Sequence, residues 1–418
     1  MSLLFGILKK VIRQGHLCII DANGHDHHFG ELRTDPVIVR LHDRGATRAI
    51  LADPHLALGE AYMDGRLTVE NGGIADFLEI VARNLGMGFG GGHWEMLARA
   101  RRWMRRLAQR NHHRRARHNV AHHYDLSGQL YDLFLDADKQ YSCAFYETPH
   151  DTLESAQLRK KQRIAAKLDL KPGHRVLDIG SGWGGLGLHL AQAADAEVTG
   201  VTLSEEQFKV AKSRAEVLGL DDRVKFRLED YRHVSDSFDR IVSVGMFEHV
   251  GVGHFSEFFK KVSSLLTDDG VALIHSIGRS DGAGAMNPWM AKYIFPGAYA
   301  PALSEVLPAI ERAGLLVTDI EILRLHYAYT LAEWRRRFRA NWERAKALYD
   351  ERFCRMWEFY LAGAEMGFRH QGLMVFQLQL AKRVDALPLA RDYMVPARES
   401  TAVEWPIPAR ARRSANAA

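Results

Sequence analysis

The sequence lacks the features of a secreted or membrane-embedded protein. Its 418 residues include only three cysteines, at positions 18, 143 and 354, which are too few for a disulfide framework and typical of a reducing compartment. No apolar run reaches the length of about 18 residues that a membrane span requires. The apolar residues 3–8 precede Lys9 and Lys10, which is the reverse of the order in a signal peptide. We therefore expect a soluble protein of the cytoplasm.

Acidic residues are also missing from one stretch. None occurs between Glu95 and Asp125, whereas residues 99–117 include nine arginines, and five histidines stand at positions 112, 113, 118, 122 and 123. Such a stretch attracts a polyanion, either nucleic acid or an anionic membrane surface, where each basic residue contributes about 1 kcal/mol. A solvated basic helix between domains is a further interpretation. No aromatic RNA-binding motif accompanies the arginines, so we favour the inner face of the membrane and expect no nucleic acid.

The most informative motif is Val-Leu-Asp-Ile-Gly-Ser-Gly-Trp-Gly-Gly, at residues 176–185. Apolar residues run into a burst of glycines before a helical pattern, which predicts a buried strand, a tight turn and a helix start. Glycines let the backbone approach a ligand closely, and a helix start attracts an anionic group. The motif therefore indicates a nucleotide-like cofactor. Gly180, Gly182 and Gly185 also satisfy the dinucleotide fingerprint, which is a weak signal by itself, and a glycine turn without a ligand is the simpler alternative.

The next strand carries no sign of a dinucleotide. A dinucleotide site needs an acidic residue at the tip of the second strand, about 20 positions after the glycines. The second predicted strand, residues 197–201, instead leads into Thr202 and Ser204, with Glu205 one position later. Further short apolar strands alternate with helical segments, at residues 224–228, 240–244 and 271–275. This alternation predicts a parallel sheet with helices on both faces.

Six separate motifs, in the family's order, resemble the cyclopropane-fatty-acyl-phospholipid synthase family over roughly residues 120–385. They lie at residues 141–144, 176–185, 200–204, 238–250, 274–278 and 292–297. The segment Gly-Glu-Ala-Tyr-Met-Asp-Gly, residues 59–65, is similar to the N-terminal domain of the bacterial members that act on phospholipids. The resemblance implies an α/β, Rossmann-like class I methyltransferase fold with a mostly parallel seven-stranded sheet, plus a smaller N-terminal α+β domain.

The resemblance also implies a reaction, in which a methylene group passes from S-adenosylmethionine to the cis double bond of an unsaturated phospholipid acyl chain and forms a cyclopropane. It implies that Cys143, Glu248, His275 and Tyr327 hold a bicarbonate ion that acts as the base. We expect no metal. The residues expected to bind S-adenosylmethionine are Tyr141, Ser142, Asp178, Gly180, Ser181, Gly182, Trp183, Gly184, Thr202, Leu203, Ser204, Gln207, Asp230 and Tyr231.

One departure from the family concerns its C-terminal helix. Some members are described with a cysteine there, in a Tyr-Leu-x-x-Cys pattern, whereas this chain has Tyr360 followed by alanine at position 364. Cys354 lies ten residues before Ala364 and does not match. We therefore exclude a covalent thiol intermediate from that helix.

The chain divides into four predicted parts, which are an N-terminal lipid-handling α+β domain, a basic linker helix, a catalytic domain and a disordered tail, at residues 1–95, 96–118, 119–388 and 389–418. Within the catalytic domain we expect an aromatic insertion over the site, a strand and a last edge strand, at residues 279–300, 316–325 and 373–380. The predicted assembly is a homodimer that associates peripherally with the membrane.

Three other functions stay open at this point. A C-methyltransferase that yields methyl-branched or methylated unsaturated chains differs from the first interpretation only in the fate of one proton. A non-catalytic lipid-binding protein that senses the cofactor has no need of Glu248, His275 and Tyr327. A nucleic-acid methyltransferase makes use of the arginines but leaves the aromatic insertion unexplained.

Overall fold

The computed structural model describes residues 2–32, 35–86, 100 and 127–394. The predicted basic linker helix, residues 96–118, lies outside them except for Ala100, and so do residues 395–418 of the predicted tail. The described residues form two β-sheets, one of four strands and one of seven. Among the described helices, none has the length and apolar character needed to cross a bilayer.

The four-stranded sheet belongs to the N-terminal region. Its order is β2-β1-β3-β4, and the strands are β1 (His16–Ile20), β2 (Asp26–Gly30), β3 (Val37–Leu41) and β4 (Leu67–Asn71). Four helices accompany it, namely α1 (Ser2–Val11), α2 (Arg44–Ala52), α3 (Pro54–Met63) and α4 (Ile74–Leu85). Successive strand residues face opposite sides of a sheet. One side, with Leu17, Val39 and Leu67, joins the helices in an apolar core that also includes Ala362 and Met366 from the C-terminal part of the chain.

The seven-stranded sheet confirms the predicted fold class. It comprises β5 (Arg175–Ile179), β6 (Glu197–Thr202), β7 (Val224–Leu228), β8 (Phe238–Val244), β9 (Leu266–Arg279), β10 (Leu316–Ile322) and β11 (Leu373–Ala381). The order is β10-β11-β9-β8-β5-β6-β7, in which β11 is antiparallel to both neighbours and the other pairs are parallel. The carboxyl ends of the parallel strands therefore share one edge, where such folds bind ligands.

Helices cover both faces of this sheet. They are α5 (Gly128–Tyr131), α6 (Leu153–Lys167), α7 (Gly185–Ala194), α8 (Glu205–Val217), α9 (Phe255–Leu265), α10 (Pro288–Tyr293), α11 (Leu303–Arg312), α12 (His326–Ala340), α13 (Trp342–Leu348) and α14 (Glu351–His370). α6 and α7 pack on one face, through a core that contains Ile164, Val176 and Leu188. α9 and α11 pack on the other face, against Leu177 and Ile274.

Two strand predictions are wrong in detail. The strand predicted at residues 373–380 as an edge is β11, which lies between β9 and β10, with β10 at the edge instead. All of its residues except Leu373 are buried, because it pairs on both sides and is covered on both faces. His275 does not end its strand, because β11 pairs with β9 as far as the Leu373–Arg279 pair.

Candidate active site

The glycine turn after β5 combines a tight packing point with an open one. A Cβ atom at Gly184 would lie 2.8 Å from Phe226 Cζ and 2.9 Å from Ala211 Cβ, and φ there is +84°, so only glycine fits. At Gly182, with φ +53°, a Cβ atom would meet nothing within 4 Å, and this residue lines a cavity. At Gly182 the turn therefore exposes its backbone to the cavity, with no side chain in between.

The cavity has a volume of about 130 Å³ and lies at the carboxyl edge of the sheet. Half of the predicted cofactor residues line it, namely Gly180, Gly182, Thr202, Leu203, Gln207, Asp230 and Tyr231. Sequence reasoning missed other lining residues, among them Glu229, Arg232, Met246, His249, His254, Pro296 and Gly297. Several of these follow predicted strands, which is the signal that could have found them, whereas Pro296 and Gly297 come from the distant aromatic insertion.

The other predicted cofactor residues do not line this cavity, and they are Tyr141, Ser142, Asp178, Ser181, Trp183, Gly184 and Ser204. Ser204 caps α8, because its hydroxyl accepts from Gln207 N at 3.3 Å. Trp183 packs edge-on against Tyr131 in the apolar core. Asp178 Oδ2 and Ser181 Oγ, by contrast, are buried without a hydrogen-bond partner among the described residues. Cofactor contact by these seven residues stays a prediction.

The polar wall of the cavity is arranged by internal hydrogen bonds. Thr202 Oγ1 donates to Gln207 Oε1 at 3.2 Å. Arg232 forms a forked pair with Asp230, with Nε–Oδ1 and Nη2–Oδ2 distances of 2.9 and 2.6 Å. Half-buried His249 has its pKa lowered to about 4 by burial, so it is neutral at pH 7. Carboxylates, an amide and a hydroxyl thus stand beside exposed backbone, a set of hydrogen-bond acceptors and donors that fits S-adenosylmethionine.

The Glu248 side chain accepts a hydrogen bond from β9 just beyond the end of β8. The last ladder bond between β8 and β9 runs from Gly245 N to His275 O at 2.9 Å. The next N–H on that side of β9, at Ile277, donates to Glu248 Oε1 at 2.6 Å. Glu248 Oε2 is buried without a hydrogen-bond partner among the described residues. Burial raises the pKa of this carboxyl to about 7, which leaves an acceptor or a proton donor available at Oε2.

A chain of side-chain hydrogen bonds holds His275 at its Nδ1 atom. Its Nδ1 accepts from Gln377 Nε2 at 3.0 Å, and Gln377 Oε1 in turn accepts from Lys167 Nζ at 2.7 Å. The lysine contact fixes the amide orientation, so the imidazole carries its proton on Nε2. Burial, with the nearby Lys160 and Lys167, lowers the pKa of His275 to about 3. His275 is therefore a neutral donor at Nε2.

Cys143 and Tyr327 share a buried aromatic cluster. Both belong to the core that also contains Trp334 and Tyr360, and Ile277 packs against it. Glu248 bonds the backbone of Ile277, and His275 precedes Ile277 by two residues on the same strand face. That the four predicted catalytic residues act together stays a prediction. Burial raises the pKa of the Cys143 thiol, so it is a neutral thiol, and its Sγ–H donates to Ala144 O at 3.3 Å.

Lys160 is a buried charge that sequence reasoning missed. Its ammonium donates to Gln140 Oε1 at 2.6 Å and to Ser142 Oγ at 2.8 Å, which ties α6 to the loop before Cys143. Burial lowers its pKa to about 8, and burial raises the pKa of the neighbouring Asp178 to about 7. The signal was the spacing in α6, where lysines 160 and 167 fall on the helix face of Ile164.

The aromatic insertion connects this region with the N-terminal sheet. Trp289 Nε1 donates to Met63 Sδ at 3.2 Å. Glu60 Oε1 accepts from Lys292 Nζ and from the Tyr293 hydroxyl, at 2.7 and 2.8 Å. Phe295 stands edge-on to Tyr360, with ring centroids 5.6 Å apart. The segment 59–65 therefore docks on the insertion that lines the cavity at Pro296 and Gly297.

Comparisons with known proteins give a consistent result. Residues 111–378 match the model of the family described as mycolic acid cyclopropane synthetase, and residues 11–89 match a domain of unknown function (DUF7884). Cyclopropane-fatty-acyl-phospholipid synthase of Escherichia coli is 37% identical over 368 residues, which are 84% of this chain and 89% of that protein. A probable fatty acid methyltransferase of Pseudomonas putida is 39% identical over 63% of this chain and 68% of its own. The solved cyclopropane synthase MmaA2 of Mycobacterium tuberculosis superposes with a TM-score of 0.61 and 33% identity, over 64% of this chain and 98% of its own.

Proposed function

The chain belongs to the mycolic acid cyclopropane synthetase family, and we propose that it is a cyclopropane-fatty-acyl-phospholipid synthase. It is an S-adenosylmethionine-dependent methyltransferase that adds a methylene group across the cis double bond of an unsaturated phospholipid acyl chain. The observation that carries this proposal is the pairing of the glycine-turn cavity with Glu248, which follows β8, and His275, which is the last residue of β9 that pairs with β8.

Different residues serve cofactor binding and proton removal. Gly182 admits the cofactor to the backbone, and Thr202, Gln207 and Asp230 provide polar groups along its wall. When bound, S-adenosylmethionine supplies an electrophilic methyl group to the alkene. The buried aromatic cluster excludes water, which would otherwise compete with a weak alkene nucleophile. Its π faces also tolerate a developing positive charge.

Ring closure requires removal of a proton from the new methyl group. We propose that Cys143, Glu248, His275 and Tyr327 hold the base that removes it. His275 offers an N–H at Nε2, and Glu248 offers an unsatisfied Oε2. A donor and an acceptor in one buried region fit a small oxygen anion such as bicarbonate. The raised pKa of Glu248, about 7, suits a group that exchanges a proton near neutral pH.

The lipid is proposed to be reached at a membrane surface. The arginine-rich residues 99–117, which lie outside the described residues, supply the positive charge for an anionic leaflet. We also propose a homodimer that associates peripherally with the membrane. Vesicle sedimentation tests the membrane contact, because binding to anionic vesicles should fall steeply with salt. Equal binding to neutral vesicles at high salt would refute the electrostatic contact.

A fatty acid C-methyltransferase is the second candidate, favoured by the similarity to the probable methyltransferase of Pseudomonas putida. Mass spectrometry of phospholipids from cells that express the chain separates the two. The cyclopropane synthase adds one CH2 unit and removes the double bond, whereas the methyltransferase adds the same unit and keeps the unsaturation. The Gly182→Val variant serves as the control for background methylation.

Single substitutions test the base assignment. Glu248→Gln and His275→Ala should each lower turnover by about 10²-fold or more, with far smaller effects on cofactor affinity measured by calorimetry. The combined variant should lose little more than either single variant, because residues that act as one unit fail together. Near-normal turnover of both single variants in bicarbonate-free buffer would show that this anion site is not the base.

A further inference from the structure

One face of the β1–β2 hairpin gathers a cysteine, an aspartate and a histidine. The antiparallel register places Cys18 directly opposite His28 and Ile20 opposite Asp26. Cys18 and Ile20, like Asp26 and His28, are two residues apart, so all of them share a face. This face is opposite to the one that carries the apolar core, since Leu17 and Phe29 belong to that core.

The three polar side chains are close enough to share an ion. One ligand atom from each of Cys18, Asp26 and His28 lies within 4.8 Å of the others. The Cys18 Sγ to His28 Nε2 distance is 3.9 Å, and zinc–sulfur and zinc–nitrogen bonds of about 2.3 and 2.0 Å put tetrahedral ligand atoms about 3.5 Å apart. Asp26 and His28 are exposed, so modest rotations of their side chains close the remaining gap.

A fourth residue already orients the histidine. His16 Nε2 lies 3.0 Å from His28 Nδ1, and His16 is only 8% exposed. Metal-bound histidines characteristically use their second ring nitrogen in such a hydrogen bond, which fixes the ring and the tautomer. In the tautomer in which His28 Nδ1–H donates to His16 Nε2, the lone pair of His28 lies on Nε2, 3.9 Å from Cys18 Sγ. Asp26 is exposed, so its carboxylate can turn toward a cation.

We propose that Cys18, Asp26 and His28 bind a divalent transition metal of the zinc class, with water in the fourth position. The mixed sulfur, nitrogen and oxygen ligand set suits Zn²⁺ rather than Ca²⁺ or Mg²⁺. The ion clamps β1 to β2 outside the apolar core. The spacing of Cys18 and His28 matches no zinc motif, which explains why the sequence led us to expect no metal, and only the strand register reveals the site.

Cobalt titration of the chelator-treated full chain tests this site. Co²⁺ bound to a thiolate gives a charge-transfer band, and the histidines at positions 112–123 cannot produce that band because they lack sulfur. We expect the band to saturate at one Co²⁺ per chain and to disappear on addition of Zn²⁺. Cys18→Ser should abolish it, and His28→Gln and Asp26→Asn should each weaken Co²⁺ binding more than His16→Gln does. His16→Gln should weaken it by about 10- to 100-fold, the usual effect of losing such an orienting partner.

The exposed His150, in the catalytic part, supplies the matched control, because His150→Gln should leave the band unchanged. Circular dichroism of each variant verifies folding, and the exposed His28 keeps the test valid even if Cys18→Ser does not fold. The proposal is overturned if the folded wild type gives no thiolate band. It is equally overturned if the band persists in Cys18→Ser, which would place the thiolate at Cys143 or Cys354, or if His28→Gln binds Co²⁺ normally.

Discussion

A methyl group at Gly59 should push the N-terminal region away from the aromatic insertion. Gly59 lies in α3, and a Cβ atom there would stand 2.4 Å from Trp289 Nε1 and 2.6 Å from Trp289 Cδ1, where ordinary contact begins at 3.4 Å. Trp289 cannot retreat easily, because it is 1% exposed and its ring is held against Phe359 at 4.8 Å. The Gly59→Ala variant therefore requires a displacement of about 1 Å between packed elements.

The magnitude follows from two opposing effects. Overpacking of this kind costs about 1–3 kcal/mol, while replacing a helical glycine by alanine contributes about 1 kcal/mol of helix stability. A Cβ atom at Gly363, inside α14, would meet nothing within 4 Å, so Gly363→Ala receives only the favourable effect. The two variants should thus differ by about 1–3 kcal/mol, or roughly 2–12 °C in Tm for a unit of 150–250 residues.

Thermal unfolding followed by circular dichroism measures this difference between Gly59→Ala and Gly363→Ala. Turnover should fall in Gly59→Ala alone, because the displaced insertion also supplies Pro296 and Gly297 to the cavity wall. If Gly59→Ala raised the Tm as much as Gly363→Ala does, the contact with Trp289 would not be a tight one, and the reasoning would fail.

Two further predictions concern the site. Gly182→Val should abolish S-adenosylmethionine binding in calorimetry, because its side chain enters the cavity, whereas Gly219→Val, at a similar positive φ with nothing within 4 Å, should bind normally; equal losses would point to backbone strain instead. Burial raises the pKa of Glu248 from 4.5 to about 7, so the folded state holds this proton more tightly than the unfolded state. Glu248 thus contributes about 3 kcal/mol to the free energy of unfolding. This contribution is fully present below the ordinary pKa and is lost as the pH rises toward 7. Glu248→Gln should flatten that part of the pH dependence in urea unfolding, and an unchanged slope would contradict the raised pKa.

The sequence predicted the parallel sheet and the glycine turn well, because both depend on local patterns. Short apolar strands and a glycine burst specify a strand and a turn whatever surrounds them. Glu248 and His275 lie after β8 and in β9, as the strand pattern indicated, and their catalytic roles stay predictions. The position of β11 within the sheet was not predicted, since strand order depends on contacts between distant segments.

Side-chain partners were the harder part of the site. Ser204 stands in a cofactor-like motif, yet it caps a helix, and a sequence pattern alone does not distinguish the two roles. Lys160 looks like one basic residue among several on α6, and only the packed structure shows that it is buried against Gln140 and Ser142. The metal-binding face of the hairpin likewise depends on register, which is a property of two paired strands rather than of either one.

The late arrival of β11 has a consequence for synthesis on the ribosome. Gln377, which orients His275, lies 102 residues farther along the chain, and its strand inserts between two strands made earlier. A nascent chain that has completed β5–β10 therefore has a cofactor turn but a gap in its sheet and an unoriented imidazole. Because chains emerge from their N-terminus, the methyl-transfer site is complete only after nearly the whole catalytic region has left the ribosome.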